Sequence, residues 1–137
     1  MAVVATAEQL DNRSKAGYKD FMRPLYHPPP SEITVEGILH ALSDPIRVRI
    51  YAEIAQADCP QICSTFLQLD ERKVPRSTLS VHFKVLREAG LIRSERRGVE
   101  MHNSSRCAEI GQRFGGLVSA IISAYQVQRE EALKAKK

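Results

Sequence analysis

Between Arg72 and Arg97 the chain places eight basic side chains: Arg72, Lys73, Arg76, Lys84, Arg87, Arg93, Arg96 and Arg97. Only Glu88 and Glu95 oppose them, so this stretch is +6 in a chain whose total is +4. A cationic surface so localised suits a polyanion; the competing reading is a solvated basic face with no partner. Ser77, Thr78 and Ser80 lie among these charges, and their hydroxyls can bond phosphate oxygens or base edges. Cys59, Cys63 and Cys107 form a second set. Cys59 and Cys63, four residues apart, would share a helix face, with Cys107 as a third partner for a soft ion; any two would make a sensing disulfide. The competing reading is that all three are small buried hydrophobes. His27 and His40 have no partner at ligand spacing, and His102 reads as a solvated strand residue, so no metal and no cofactor is expected. A metal or metalloid effector would have to use the thiols. Ser80 and His82, two apart on one helix, cannot face each other. Neither a paired-carboxylate site nor a phosphate loop accompanies them, so the chain does not read as an enzyme.

The rest of the composition describes what must hold these groups. With 137 residues, 43% of them hydrophobic and 26% charged, the chain is that of one ordinary globular domain rather than a disordered one. No apolar run reaches the ~18 residues of a membrane span. The opening Met1-Ala2-Val3-Val4-Ala5 has no basic flank and soon meets Glu8, which makes a poor secretory signal. An odd number of cysteines points to a reducing cytoplasm.

Three segments are expected: an extension over 1–30, a domain over 31–128 and a charged tail over 129–137 that frays. In the extension, Tyr18, Phe21, Met22 and Leu25 suggest a short helix within 10–26, stopped by the extended His27-Pro28-Pro29-Pro30. Ser31 can cap a helix containing Ile33, Ile38, Leu39 and Leu42. Asp44 followed by Pro45 is an N-cap with proline at the first helical position, where no amide hydrogen is needed. The helix it opens carries Ile46, Ile50 and Ile54 with Val48, Tyr51 and Ala55 at three- and four-residue spacing and should end near Ala57-Asp58. A short apolar segment follows (Ile62, Phe66, Leu67, Leu69), then a polar connector over 70–74, closed by Pro75.

After Pro75, Leu79, Phe83, Leu86 and Ala89 recur at helical spacing and make a core stripe, which turns Ser77, Thr78, Ser80, Val81 and Lys84 outward. Gly90 closes that helix. Two strand patterns, 91–96 and 99–103, flank Arg97-Gly98, predicting a tight hairpin with a basic tip. A last helix starts near Ser104 or Ser105 and carries Ile110, Phe114, Leu117, Val118, Ile121, Ile122 and Tyr125. This wide stripe is either core or the face of a dimer, and Gly111, Gly115 and Gly116 beside it would permit close approach of another backbone.

Helix, helix, short helix, polar-faced helix, basic hairpin and long helix is the order of a winged helix-turn-helix, a mainly α fold with a small β-hairpin wing. In such a module the polar-faced helix enters the major groove of DNA and the hairpin tip follows the flanking backbone or reaches the minor groove. The candidate contacts are Arg76, Ser77, Thr78, Ser80, Lys84, Arg96 and Arg97. The alternative is a winged-helix module for protein interactions that has lost DNA binding.

Two motifs sharpen the reading. Residues 38–50, Ile-Leu-His-Ala-Leu-Ser-Asp-Pro-Ile-Arg-Val-Arg-Ile, resemble the opening helices of ArsR-type (ArsR/SmtB-like) regulators. Residues 77–92, Ser-Thr-Leu-Ser-Val-His-Phe-Lys-Val-Leu-Arg-Glu-Ala-Gly-Leu-Ile, are similar to their recognition helix and first wing strand. The likeness extends over about residues 33–125. It implies a homodimeric transcriptional regulator, often a repressor, paired through its first and last helices and bound to a near-palindromic double-stranded operator. It also implies that Ser77, Thr78, Ser80, Val81, His82 and Lys84 lie on the DNA-contacting helix, with release by a small effector or by thiol modification. The chain departs from the family's metal sensors. Where many have a Cys-x-Cys pair it reads Asp58-Cys59-Pro60-Gln61-Ile62-Cys63, and its last helix has no histidine or aspartate.

Overall fold

The computed structural model describes residues 25–57, 59–69 and 72–136. The helix expected within 10–26 lies almost wholly outside them. A single 3-10 turn at Pro30–Glu32 precedes helices α1 (Val35–Ala41) and α2 (Pro45–Gln56). The cap of α1 is Thr34, whose hydroxyl accepts the Gly37 amide at 3.0 Å, and not Ser31, which lies within the 3-10 turn. Asp44 caps α2 as its position before Pro45 predicts: one carboxylate oxygen accepts the amides of Ile46 and Arg47 at 2.8 and 3.0 Å. Burial pushes this carboxyl up, but those two amides, together with the nearby His82 and Arg47, take it below the usual aspartate range.

Between α2 and the next helix the chain forms short pieces. These are β1 (Gln61–Ile62), a 3-10 turn at Cys63–Phe66, and a small hairpin of β2 (Gln68–Leu69) with β3 (Arg72–Lys73). Helix α3 (Arg76–Glu88) follows, then the wing strands β4 (Ile92–Arg97) and β5 (Glu100–Ser105). The sheet order is β1-β5-β4, all antiparallel, with Ser94 opposite Asn103 and Gln61 on the far side of Asn103. Sequence periodicity could not reveal β1, because two residues are too few for a pattern.

The last helix is two helices. β5 runs through Ser105, α4 spans Cys107–Phe114, and α5 spans Leu117–Ala135. The break falls at Gly115, whose φ of +59° no helical residue can adopt. The expected glycines thus act as a joint. Past it, α5 stays helical to Ala135 through the segment read as a fraying tail.

The core joins these elements. Ile38, Ile50, Tyr51, Leu86, Leu91, Ile92 and Ile110 are fully buried. Tyr51 places its hydroxyl 3.0 Å from the Ser105 hydroxyl, and burial pushes its pKa up to about 12. Residues 25–30 also belong to this body: Pro28 is buried, and its carbonyl accepts a hydrogen bond from the buried Arg106 at 2.8 Å. Among the described residues no helix is long and apolar enough to cross a membrane.

Candidate nucleic-acid interface

Helix α3 is held by one side only. Leu79, Phe83 and Leu86 are buried, and the Phe83 ring meets that of Phe66 with centroids 5.7 Å apart at a 58° tilt. Burying such an aromatic contributes roughly 1.5–3 kcal/mol from apolar area alone. The opposite side presents Arg76, Ser77, Thr78, Ser80, Val81 and Lys84, all exposed. Val81 is 57% exposed, an unusual setting for an aliphatic side chain in the middle of a helix. Pro75 provides the N-cap of α3 and makes no side-chain cap bond. Several of the first-turn amides therefore point outward beside Arg76, Ser77 and Thr78, as an anion-binding helix end requires.

His82 departs from the expected set. It is 7% exposed and packs inward, and neither ring nitrogen has a hydrogen-bond partner among the described residues. Its pKa is lowered, first by burial and then by Arg47, with Asp44 opposing, so the ring is neutral near pH 7. The reason is in the spacing: position 82 lies three after Leu79 and four before Leu86, inside the core stripe. His82 is a core residue of α3 and not one of its outward contacts.

The end of α3 joins the wing. Gly90, at φ +84°, closes a Schellman turn in which Gly90 N–H bonds Arg87 C=O and Leu91 N–H bonds Leu86 C=O, both at 3.0 Å. A Cβ at Gly90 would stand 2.5 Å from the Ile33 side chain, so the site excludes other residues by space as well as by φ. Arg87 turns from the basic surface toward the sheet, its Nη1 3.4 Å from Ser94 Oγ, and burial lowers its pKa. Ser94 Oγ in turn donates to Asn103 Oδ1 at 2.7 Å. Asn103 Nδ2 reaches Gln61 O at 3.1 Å and Cys63 Sγ at 3.2 Å. Sequence reading missed this buried polar set, since Ser and Asn in a strand carry no sign of which face they take.

At the wing tip the two-residue turn Gly98-Val99 has Gly98 at φ +64° and Val99 95% exposed. Arg96 and Arg97 are exposed beside it, and Arg97 Nε lies 3.6 Å from Glu95. Arg93, on the same strand, is bound to Glu109 at 3.2 Å.

The thiols occupy three separate settings. Cys59 is exposed in a bend, Cys63 begins the 3-10 turn after β1, and Cys107 begins α4. β1 lies between the first two, so they share no helix face. Burial pushes the Cys63 thiol up, opposed by its bond to Asn103. Among the described residues no group of three His, Cys, Asp or Glu side chains is placed to hold a metal ion.

Residues 42–95 match the family model of a helix-turn-helix domain. The chain is 36% identical over 76 residues to the HTH-type transcriptional repressor SmtB of Mycobacterium tuberculosis, from both strain CDC 1551 / Oshkosh and strain ATCC 25618 / H37Rv. That alignment covers 54% of this chain and 53% of the repressors, so the chain spans about half the length of the curated relatives it matches. A solved ArsR-like transcriptional regulator from Rhodococcus sp. RHA1 superposes with a TM-score of 0.47 at 24% identity, over 74% of this chain and 88% of that one. The residues that match the helix-turn-helix model run from the end of α1 through the outward-facing α3 into the first wing strand, so the likeness falls on the elements that form the candidate interface.

Proposed function

We propose that the protein is a sequence-specific DNA-binding transcriptional regulator, acting as a homodimeric repressor. The observation that carries this reading is the split of α3. Its apolar side is consumed by the core, while Arg76, Ser77, Thr78, Ser80, Val81 and Lys84 stand free, followed in the chain by a hairpin tipped by Arg96 and Arg97. The hydroxyls and Val81 would meet base edges in the major groove, and the cations would meet phosphates.

Dimerisation would use what the monomer leaves half covered. Ile110, Val118 and Ile122 belong to the core of one chain, whereas Phe114, Leu117, Ile121 and Tyr125 are only partly buried. The first and last helices would thus pair two copies, setting two α3 helices about one DNA turn, ~34–36 Å, apart on a near-palindrome. Release by a small effector or by thiol chemistry would favour a dimer with the wrong spacing. Cys59 is the thiol a reagent reaches directly.

The deciding experiment is a binding titration on the promoter of the protein's own gene, across salt and with oxidant, reductant and metalloid added in turn. Saturable binding that weakens steeply with salt and protects two half-sites supports the reading. Absence of retention on DNA or heparin at low salt would leave a protein-interaction module instead.

A further inference from the structure

We propose that His27 is a positioning residue for the wing: its neutral imidazole clamps the outer edge of β4, and protonation opens the clamp. The proposal rests on the wing being a DNA-contacting element, but the clamp itself is tested without DNA.

The sheet order β1-β5-β4 leaves β4 as the edge strand among the described residues. The Ser94 amide on that edge donates to His27 Nε2 at 2.9 Å. A side chain thus satisfies a backbone donor that the sheet leaves open, and it comes from 67 residues earlier in the chain. The ring is held in place by its surroundings. Pro28, Pro29 and Pro30 are conformationally stiff. Arg106 Nη1 fixes Pro28 O at 2.8 Å, and Arg113 Nη1 bonds Pro30 O and, at 2.7 Å, Ile33 O. On the other side of β4, Ser94 Oγ belongs to the buried set with Asn103 and Arg87. Ser94 therefore links the strap over 25–30, the end of α3 and the wing, two residues before Arg96.

Nε2 can accept from Ser94 only while it carries no proton, so the ring is the neutral Nδ1–H tautomer. The groups facing it oppose a second proton. Arg93 approaches from β4, Arg87 from α3, and Arg106 from the start of α4. The acid between them, Glu109, is engaged by Arg106 at 2.6 Å and by Arg93 at 3.2 Å. Glu88 and Glu32 act on the neighbouring Tyr26, whose hydroxyl donates to Glu32. Burial first, then Arg93 and Arg87, lower the His27 pKa, against a backbone hydrogen bond at Leu25. A proton on Nε2 would face the Ser94 N–H and add a fourth positive charge to three guanidinium groups. For a group whose folded pKa is depressed, the contribution is complete above the unfolded value of about 6.5 and is lost as pH falls through the lower folded value.

The direction is diagnostic. Protonating surface histidines adds positive charge and should tighten binding to a polyanion as pH falls; the clamp predicts weaker binding over the same range. The experiment is amide exchange at Ser94 in the full chain from pH 5 to 8, corrected for intrinsic rates, in the native protein, His27→Ala and His27→Gln. Affinity for the promoter fragment is measured at fixed salt over the same range. Ser94 protection in the native protein should drop about tenfold per pH step below its transition, as one proton requires. In His27→Gln, whose amide oxygen accepts without titrating, protection should stay high and flat; in His27→Ala it should be low throughout. Native Ser94 protection that ignores pH, or equal protection in His27→Ala, overturns the clamp. Exchange that follows the expected pattern while affinity does not overturns the wing's part in binding. If the native protein retains no DNA at any pH, the regulator reading fails, and exchange still decides the clamp.

Discussion

Helices α3 and α5 each carry apolar residues at helical spacing, yet the molecule treats them differently. On α3 the stripe is consumed by the core and the uncovered side is hydroxyl-rich and cationic. On α5 only Val118 and Ile122 are fully covered; Leu117, Ile121 and Tyr125 stay half exposed, with Val127 at 55% and Leu133 at 52% further along. A polar free face asks for a polar ligand, and an apolar face half withdrawn from water asks for another apolar face. One chain thus presents two unfinished surfaces of opposite chemistry, as the proposed dimer on a duplex would require.

The largest test of that contrast separates the two sides of α3. Phe83→Ala removes a buried ring packed on Phe66 and should cost about 3–5 kcal/mol in urea unfolding. Val81→Ala, two residues earlier and 57% exposed, should change stability by less than about 0.5 kcal/mol while weakening operator affinity. Equal stability losses would mean that α3 has no free face.

The glycines that frame the wing give the next effect. Gly90→Ala meets both a positive φ of +84° and the Ile33 side chain at 2.5 Å, and should cost about 2–4 kcal/mol. Gly98→Ala meets a φ of +64° with nothing within 4 Å, so only the conformational part, about 1–2 kcal/mol, should appear. Unfolding midpoints that coincide would show that Ile33 yields freely and that the segment between the 3-10 turn and α1 is loosely seated.

What could be read from residues alone follows from how local each cause is. The Asp44-Pro45 start, the Leu79/Phe83/Leu86 stripe and the Gly90 stop were legible, because each is decided by neighbours within a few positions. The hairpin turn was legible too, but it falls at Gly98-Val99, one residue later than the expected Arg97-Gly98, since Arg97 still pairs with Glu100. The glycines at 115 and 116 were legible as a weakness but not as a joint, since either conformation was open to them. Ser94, Asn103 and His27 were illegible as a group. They meet across 67 residues of chain through strand pairing, and no local pattern encodes that meeting. His82 misled in the opposite sense: the likeness to a recognition helix placed it among the contacts, and its spacing, three from Leu79, puts it inside.

The wing tip gives a smaller effect, read in affinity. Arg96→Ala with Arg97→Ala should weaken binding to operator and unrelated DNA alike. The slope of log affinity against log salt should flatten by about 0.9 for each phosphate that is no longer neutralised. Loss of discrimination with an unchanged slope would mean that the tip reads bases. An unchanged titration would remove the wing from the interface and leave α3 alone on the DNA.

The smallest effect concerns the seat on which α3 rests. Asp44 caps α2 with one oxygen, and its carboxylate also acts on the buried His82 of α3. Asp44→Ala should cost about 1 kcal/mol, an ordinary cap, while Asp44→Asn, which keeps an acceptor oxygen, should cost less. The pH dependence has a definite sign. Because the amides of Ile46 and Arg47 help to hold the folded carboxyl below its usual value, its contribution is present above about pH 4 and fades as pH falls through the lower folded value. The native protein should therefore lose stability on acidification by an increment that both variants lack. If Asp44→Asn instead shows the full acid sensitivity of the native chain, the titrating group lies elsewhere, and the pairing of the α2 cap with the inner side of α3 plays no part in it.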